Sequence, residues 1–342
     1  MRVLAITNMY PSAQWPTDAV FVKQQIKGLS AVGLEVRLLL IDRRREGPFV
    51  YYRMAPKIRG AIAEFKPDLI HVMYGGVMAE KIAQVGDSPA IILTFHGSDL
   101  LGKNLAGLSA KLMARYGVHC SKKAARHAQG VVVVSRHLIQ AVPSSVSRDK
   151  IRVIPCGIDL ERFKPMDQFT CQKELGWQPE SFHVLFATSA NDPVKRPWLA
   201  RAAVERLAEQ GVPTEFHILA GVPYGDVPVW INASDVFILT SLHEGSPTIV
   251  KEALACGVPV VSVDVGDVAD RIEGIEGCYL AEAEPADLAL KLRLVYQRRQ
   301  RLDCRSRLEE ISHIAVAHKL KQFYHETLAH EGRLAPSSDG RV

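Results

Sequence analysis

Apolar residues along this chain come in two rhythms. Short runs of Val, Ile and Leu alternate with stretches whose apolar positions recur every three or four residues. The runs Arg2–Asn8, Val36–Asp42, Asp68–Met73, Ala90–His96, Gly130–Ser135 and Ile151–Pro155 predict strands. Helices are predicted over Val20–Ala31, closed by Gly33, and around Met54–Phe65. Near-continuous apolar strands separated by helices are what a parallel sheet covered on both faces requires. The rhythm breaks over Phe163–Glu180, where Pro165 and Pro179 flank a short polar helical pattern, and a hinge is expected there. It resumes with strands at Val184–Thr188, Glu215–Ala220, Val236–Thr240 and Val258–Val263, and with helices at Pro197–Gln210, Pro228–Ala233 and Thr248–Cys256. Past Pro285 the pattern is helical, and Ala335–Val342 reads as a loose tail. The fold class expected is α/β, with two doubly wound domains facing a cleft. Ligands of such sheets bind outside the carboxyl ends of the strands, so the strand-to-helix loops are where chemistry is sought.

Length and composition agree with this picture and narrow it. The 342 residues exceed one ordinary α/β core and fit two domains of roughly 150 residues each. Apolar residues at 47% and charged residues at 23% exclude a disordered chain, a fibre and a coiled coil. No apolar run approaches the roughly 18 residues needed to cross a bilayer. Met1–Ile6 gives way to Thr7-Asn8 too soon for a signal-peptide core. Six scattered cysteines without a C-x-x-C pair indicate neither a zinc ribbon nor a disulfide framework, so a cytoplasmic protein is expected. A net charge of +5 suits an anionic small ligand or a membrane surface. With 7% aromatic residues and no basic stripe interleaved with them, a nucleic-acid partner is not expected.

The most informative segment is Asp235–Val261, DVFILTSLHEGSPTIVKEALACGVPVV. A buried strand ends near Ser241, a short loop carries His243-Glu244-Gly245, and a helix follows with Ser246 as the expected N-cap and Pro247 at its first position. Free N–H groups at such a start suit a phosphate or a sugar oxygen. Glu244 in the loop and Glu252 two turns into the helix could grip separate hydroxyls of one extended ligand.

The Glu244…Glu252 pair, followed by Ala253-Leu254-Ala255-Cys256-Gly257-Val258-Pro259, resembles the E-x7-E signature of retaining glycosyltransferases of family 4, whose fold is GT-B. Thr94-Phe95-His96-Gly97-Ser98-Asp99 is similar to that family's T-x-H-G-x-D segment. Ile154-Pro155-Cys156-Gly157-Ile158-Asp159, with Phe163 and Pro165 after it, resembles the segment entering the hinge. Val263–Val268 resembles the glycine-bearing loop after the next strand. Thr7-Asn8-Met9-Tyr10-Pro11 and Phe21-Val22 are similar to the TuaC-like branch that makes cell-envelope polysaccharides.

The resemblance implies roles for individual residues. Glu244 and His96 would be catalytic, Glu244 contacting donor-sugar hydroxyls near the reacting carbon and His96 lying near the transferred sugar and distal phosphate. Glu252 would hold the ribose hydroxyls, a charge-assisted bond worth roughly 1.5–3 kcal/mol. Gly245, Ser246, Pro247 and Thr248 would lie near the sugar or the diphosphate, and Asp99 would place the His96 loop. Lys195 matches the lysine of the diphosphate clamp, but Ser189 or Asn191 stands where an Arg is usual, and Arg196 or Arg152 is the expected substitute. Ala19 replaces a loop glycine and Cys156 an asparagine. The loop at Ala19 is therefore expected to approach a phosphate differently.

The resemblance also implies the domain plan. An acceptor-binding domain is expected over 1–163 with a returning helix at about 312–330, a nucleotide-sugar domain over 164–311, and a loose tail over 331–342. The reaction expected is transfer of a sugar, with retention, from a nucleotide-diphosphate-sugar to a saccharide or lipid-linked saccharide of the cell envelope. A nucleotide-sugar epimerase and a non-catalytic sugar-nucleotide-binding protein are the alternatives. No cofactor is expected, and no metal, since no D-x-D motif is present. Gly97–Asn104 misses the P-loop pattern, with Asn104 where Ser or Thr would hold Mg²⁺, and no G-x-G-x-x-G follows the first strand. His71 reads as the end of a strand rather than a metal ligand. Lys111–His127 reads as a helix with Lys111, Arg115, Lys122, Lys123 and Arg126 on one side, either a solvated face or a contact to an anionic membrane from the cytoplasm.

Overall fold

The computed structural model describes the chain apart from residues 16–17, 48, 87, 103–106, 189–191 and 333–342. Ser189, Asn191, Asn104 and the tail expected at Ala335–Val342 thus lie outside the described residues. Two units are present: Met1–Gly157 with His313–Val342, and Ile158–Ser312.

The first unit is built on strands β1 (Arg2–Thr7), β2 (Glu35–Leu40), β3 (Leu69–Val72), β4 (Ala90–Phe95), β5 (Gly130–Val133) and β6 (Ile151–Val153). They form one parallel sheet in the order β2-β1-β3-β4-β5-β6. Every residue of β3, β4 and β5 is buried, which is why these strands read as unbroken apolar runs. The terminal helix His313–His330 belongs to this unit, and its Val316, Leu320, Phe323, Tyr324 and Leu328 pack with Val3, Leu29, Leu69 and Ile92. His71 is buried in mid-strand and spans the sheet to that helix, with Nε2 2.7 Å from Thr94 Oγ1 and Nδ1 2.6 Å from the Tyr324 hydroxyl. Burial pushes it down to about 3, so it is a neutral structural tie.

The second unit holds β7 (Phe182–Ala187), β8 (Thr214–Leu219), β9 (Val236–Leu239), β10 (Val260–Val263) and β11 (Tyr279–Ala281), all parallel, in the order β11-β10-β9-β7-β8. Strand β11 has three residues, none of them fully buried, and was not predicted from the short apolar run Cys278-Tyr279-Leu280-Ala281. The division between units falls at Gly157, ahead of the hinge expected over Phe163–Glu180. Ile158 and Phe163 pack with Leu308 and Ile311 in the second core, and the bonds Ile158 N–Ile311 O and Arg305–Phe163 O hold that stretch there. The polar pattern within it forms the helix Gln168–Leu175, capped by Asp167 accepting from the Thr170 N–H.

Candidate active site

In the second sheet β7 pairs with β8 on one side and β9 on the other, so the chain leaves in opposite directions at this point. Such a switch point is where an open α/β sheet leaves room for a ligand. The loop after β7 supplies Lys195, in a 3₁₀ turn over Pro193–Lys195, and the loop after β9 supplies Glu244. Lys195 Nζ donates to Glu244 Oε1 at 2.5 Å, and Ser241 Oγ donates to the same oxygen at 2.6 Å. Arg196 does not join them. Its guanidinium donates to the carbonyl oxygens of Thr240 (2.5 Å) and Ser241 (3.1 Å), while Thr240 Oγ1 donates back to the Lys195 carbonyl (2.8 Å). A charge expected for a diphosphate thus stitches the two loops together. Arg152 belongs to the first unit, where it pairs with Glu326 at 3.0 Å and lies over the Phe323 ring.

The helix after the Glu244 loop runs Thr248–Ala255, starting where the sequence pattern placed it and ending one residue earlier. Pro247 is its cap residue, and no side chain caps the helix start. Ser246, expected as the cap, is turned elsewhere: its hydroxyl donates to Asp267 Oδ2 (2.8 Å) and accepts from the buried Lys251 Nζ (2.7 Å). Asp267 also receives Arg271 at 2.9 Å, so a run of alternating charges lies beneath the loop. Gly266, at φ +64°, completes the seat. A Cβ there would lie 2.9 Å from the Gly245 carbonyl oxygen and 3.2 Å from Pro247 Cδ. The N–H groups at the helix start therefore have the polarity and the freedom from capping that an anion needs.

Glu252 is buried on this helix rather than solvated. Burial pushes its carboxyl up to about 7, and Lys251 and the Tyr224 hydroxyl pull it part of the way back. Sequence reasoning missed both of these neighbours. Lys251 left a signal, a charge set among the apolar Val250, Ala253 and Leu254. Tyr224 left none.

In the first unit Asp99 is the organiser. Buried near the start of the short helix Ser98–Leu101, it accepts the N–H groups of Gly75 (3.0 Å), His96 (3.0 Å) and Gly97 (2.9 Å). Burial lifts its carboxyl to about 6 against the pull of these donors. The bonds fix the backbone of His96, whose ring lies 4.5 Å from the Phe21 ring, stacks on Tyr74 at 6.1 Å, and has Nδ1 3.5 Å from Cys156 Sγ. Gly75 is obligatory at this corner, since a Cβ would come within 2.5 Å of Ser121 Oγ and 2.8 Å of Phe95. Ala19 keeps a left-handed conformation (φ 46°, ψ 40°) at the head of the helix Val20–Ala31. The turn a glycine would make is therefore retained despite the side chain, at a strain of about 1 kcal/mol.

Residues 19–162 match the family described as Glycosyltransferase Family 4, and residues 175–298 match Glycosyl transferases group 1. His96 and Asp99 fall in the first stretch, and Lys195, Glu244 and Glu252 in the second. Glycosyltransferase models thus match both units, and the chain is a glycosyltransferase. This glycosyltransferase is 29% identical over 332 residues to the protein of Bacillus subtilis (strain 168) named for teichuronic acid biosynthesis, TuaC, covering 78% of its own length and 82% of the relative. It is 26% identical over 229 residues to UDP-Gal:alpha-D-GlcNAc-diphosphoundecaprenol alpha-1,3-galactosyltransferase of Escherichia coli, covering 57% of each chain. Among solved structures, sucrose-phosphate synthase from Thermosynechococcus elongatus superposes with a TM-score of 0.78 at 18% identity, over 96% of this glycosyltransferase and 100% of that chain. Its fold is therefore GT-B, with the terminal helix counted in the first unit. Among the described residues, no helix of the glycosyltransferase is long and apolar enough to cross a membrane.

Proposed function

We propose that this glycosyltransferase moves a sugar, with retention, from a nucleoside-diphosphate-sugar to a lipid-linked saccharide of the cell envelope. The observation that carries the reading is the convergence of Lys195, Glu244 and an uncapped helix start at the switch point of the second sheet. Lys195 and the N–H groups near Thr248 would neutralise the leaving diphosphate, with Gly245, Ser246 and Pro247 shaping the loop around it. Such preorganised charge needs no metal to act on a phosphoryl leaving group. Glu244 would hold hydroxyls of the donor sugar, and Glu252 those of the ribose. His96, held in place through Asp99, is assigned to the transferred sugar. In the reaction the bond from anomeric carbon to phosphate oxygen breaks, the acceptor oxygen bonds to that carbon on the same face, and its proton passes to the departing phosphate. The named acceptor and donor of the Escherichia coli relative, and the polysaccharide in the name of the Bacillus relative, support this substrate class.

A panel of UDP-, GDP- and ADP-sugars would test the donor, because a nucleotide bound by the folded state raises the thermal midpoint by mass action. With the stabilising donor and a diphosphoprenyl-linked saccharide, transfer is expected, and the product keeps the donor's anomeric configuration by NMR. Glu244→Ala should lower transfer about 10³-fold, of the order seen when a stabilising group is removed from a reacting centre. Undiminished transfer would remove Glu244 from the chemistry. Conversion of the donor without acceptor, with solvent exchange, would make the protein an epimerase instead.

A membrane contact has its own support. In the helix Leu108–His127, Leu108, Leu112, Met113 and Tyr116 are exposed beside the exposed Lys111 and Arg115, whereas Lys123 is paired with Glu80 at 2.7 Å. An apolar strip beside cations suits an anionic bilayer surface on the cytoplasmic side. Flotation with anionic but not neutral liposomes is expected, and equal failure with both would remove the membrane partner.

A further inference from the structure

At the amino-terminal end of β7, opposite the end that leads to Lys195, three side chains meet that the proposed reaction does not use. His183 is the second residue of β7, and its register partner on the edge strand β8 is Glu215. His217 lies two residues further along β8, and residues two apart share a face of a strand. Among the described residues this group brings together three His, Cys, Asp or Glu side chains as a ligand set would.

The geometry is specific. His183 Nδ1 is 2.9 Å from His217 Nε2, and Glu215 Oε2 is 4.0 Å from the first and 3.7 Å from the second. A point equidistant from the corners of that triangle lies about 2.1 Å from each atom, the length of a zinc–nitrogen or zinc–carboxylate bond. His183 Nε2 is 2.8 Å from the Gln178 carbonyl oxygen and must donate to it. Its Nδ1 therefore carries the lone pair and faces the other two groups, the orientation that outer partners impose on metal-ligating histidines. Trp177 lies flat against His217, with centroids 3.5 Å apart and 6° between planes, and fixes that ring from the other side. A hydrogen bond between the two rings accounts for the 2.9 Å separation. It does not account for a carboxylate aimed at both rings yet too far from either to accept a proton from it.

We propose that His183, Glu215 and His217 bind one divalent transition metal of the zinc type, with water completing four-coordination. Two imidazoles and a carboxylate suit such a cation rather than Mg²⁺ or Ca²⁺, which prefer all-oxygen shells. The proton shared between the rings moves to Nδ1 of His217 when Nε2 takes the metal, so both rings stay neutral. Side-chain exposures of 0% for His183, 14% for His217 and 35% for Glu215 leave solvent access on the carboxylate side alone. The metal would clamp the edge strand β8 to β7 and to the Gln178 turn, a structural role apart from the transfer reaction.

The test uses the full chain, free of any histidine tag and stripped of metal, titrated with Co²⁺ as a visible probe and then with Zn²⁺. One equivalent of Co²⁺ should give the d–d bands of a four-coordinate site, Zn²⁺ should displace it, and Zn²⁺ should raise the thermal midpoint. Glu215→Gln, on the exposed side, should fold normally and weaken binding at least about 10-fold, and His217→Gln should abolish the bands. Absence of stoichiometric binding at micromolar metal overturns the proposal. So does binding that both variants leave unchanged, which would place the metal on other histidines.

Discussion

The two units hold their candidate residues by opposite means. In the first, one buried carboxylate, Asp99, collects three backbone N–H groups, and a glycine is required where the corner closes at Gly75. In the second, polar side chains hold one another: Lys195 on Glu244, Lys251 on Ser246, and Ser246 and Arg271 on Asp267. Backbone donors cannot move without moving the chain, so the first arrangement is stiff. Long side chains can exchange a protein partner for a substrate group, so the second is adaptable. On the proposed reaction, the adaptable arrangement suits a donor whose charge must be matched on arrival and released on departure.

The largest effect that could break this comparison is expected at Asp99. Asp99→Ala removes the acceptor of the buried Gly75 and Gly97 N–H groups and of the half-buried His96 N–H, each loss costing about 1–3 kcal/mol. A total near 4 kcal/mol should lower the thermal midpoint by about 10 °C, and added salt should not mask the loss. Lys195→Met is the control from the other unit. Its ion pair is partly exposed and screened, so stability should change by less than about 1 kcal/mol while transfer falls. Equal losses of stability in the two variants would erase the distinction between stiff and adaptable corners.

Second in size is the pH response of Glu252. Its carboxyl titrates near 7 in the folded chain against the usual 4.5, because burial outweighs the help of Lys251 and Tyr224. The folded state therefore holds a proton that the unfolded state has already lost, and stability falls as pH rises from about 4.5 to 7. A shift of this size corresponds to roughly 3 kcal/mol, fully felt above pH 7. Glu252→Gln should match the wild type near pH 4.5 and exceed it in denaturant midpoint at about pH 8. Parallel pH curves for the two proteins would show that Glu252 is ionised throughout, and the second corner would then be charged even when no ligand is bound.

How far the sequence disclosed these corners depends on how local each one is. The segment Asp235–Val261 was legible because strand, loop and helix follow one another, so Glu244 and Glu252 could be placed from spacing alone. The loop-placing role that the resemblance implied for Asp99 is likewise local at His96 and Gly97, whereas its bond to Gly75 left no trace in the sequence. The partners of Arg196 and Ser246 were not legible because they are remote in sequence: the carbonyls of Thr240 and Ser241 for one, Asp267 for the other. His183, Glu215 and His217 follow no ligand spacing at all, and only strand register brings them together. The alternation of strands and helices was clear at the buried strands and also at the half-buried β2 and β8, and it failed at β11, a strand of only three residues.

The finest test of the comparison concerns a single methyl group. Gly266 lies at φ +64°, where a Cβ costs about 1–2 kcal/mol in backbone strain alone. There it would also meet the Gly245 carbonyl oxygen at 2.9 Å and Glu244 Cβ at 3.2 Å. Backbone cannot yield as a long side chain can, so Gly266→Ala should push the Glu244 loop out of place as well as strain its own turn. Gly211, at φ +84° with nothing within 4 Å of the position a Cβ would take, separates the two effects. Gly211→Ala should lose a similar 1–2 kcal/mol or so of stability and keep its transfer rate, while Gly266→Ala should lose a further factor of about 10 in kcat/KM. If the two variants transfer equally well, the charges of the second unit re-form around a displaced loop, and its adaptability extends from side chains to backbone.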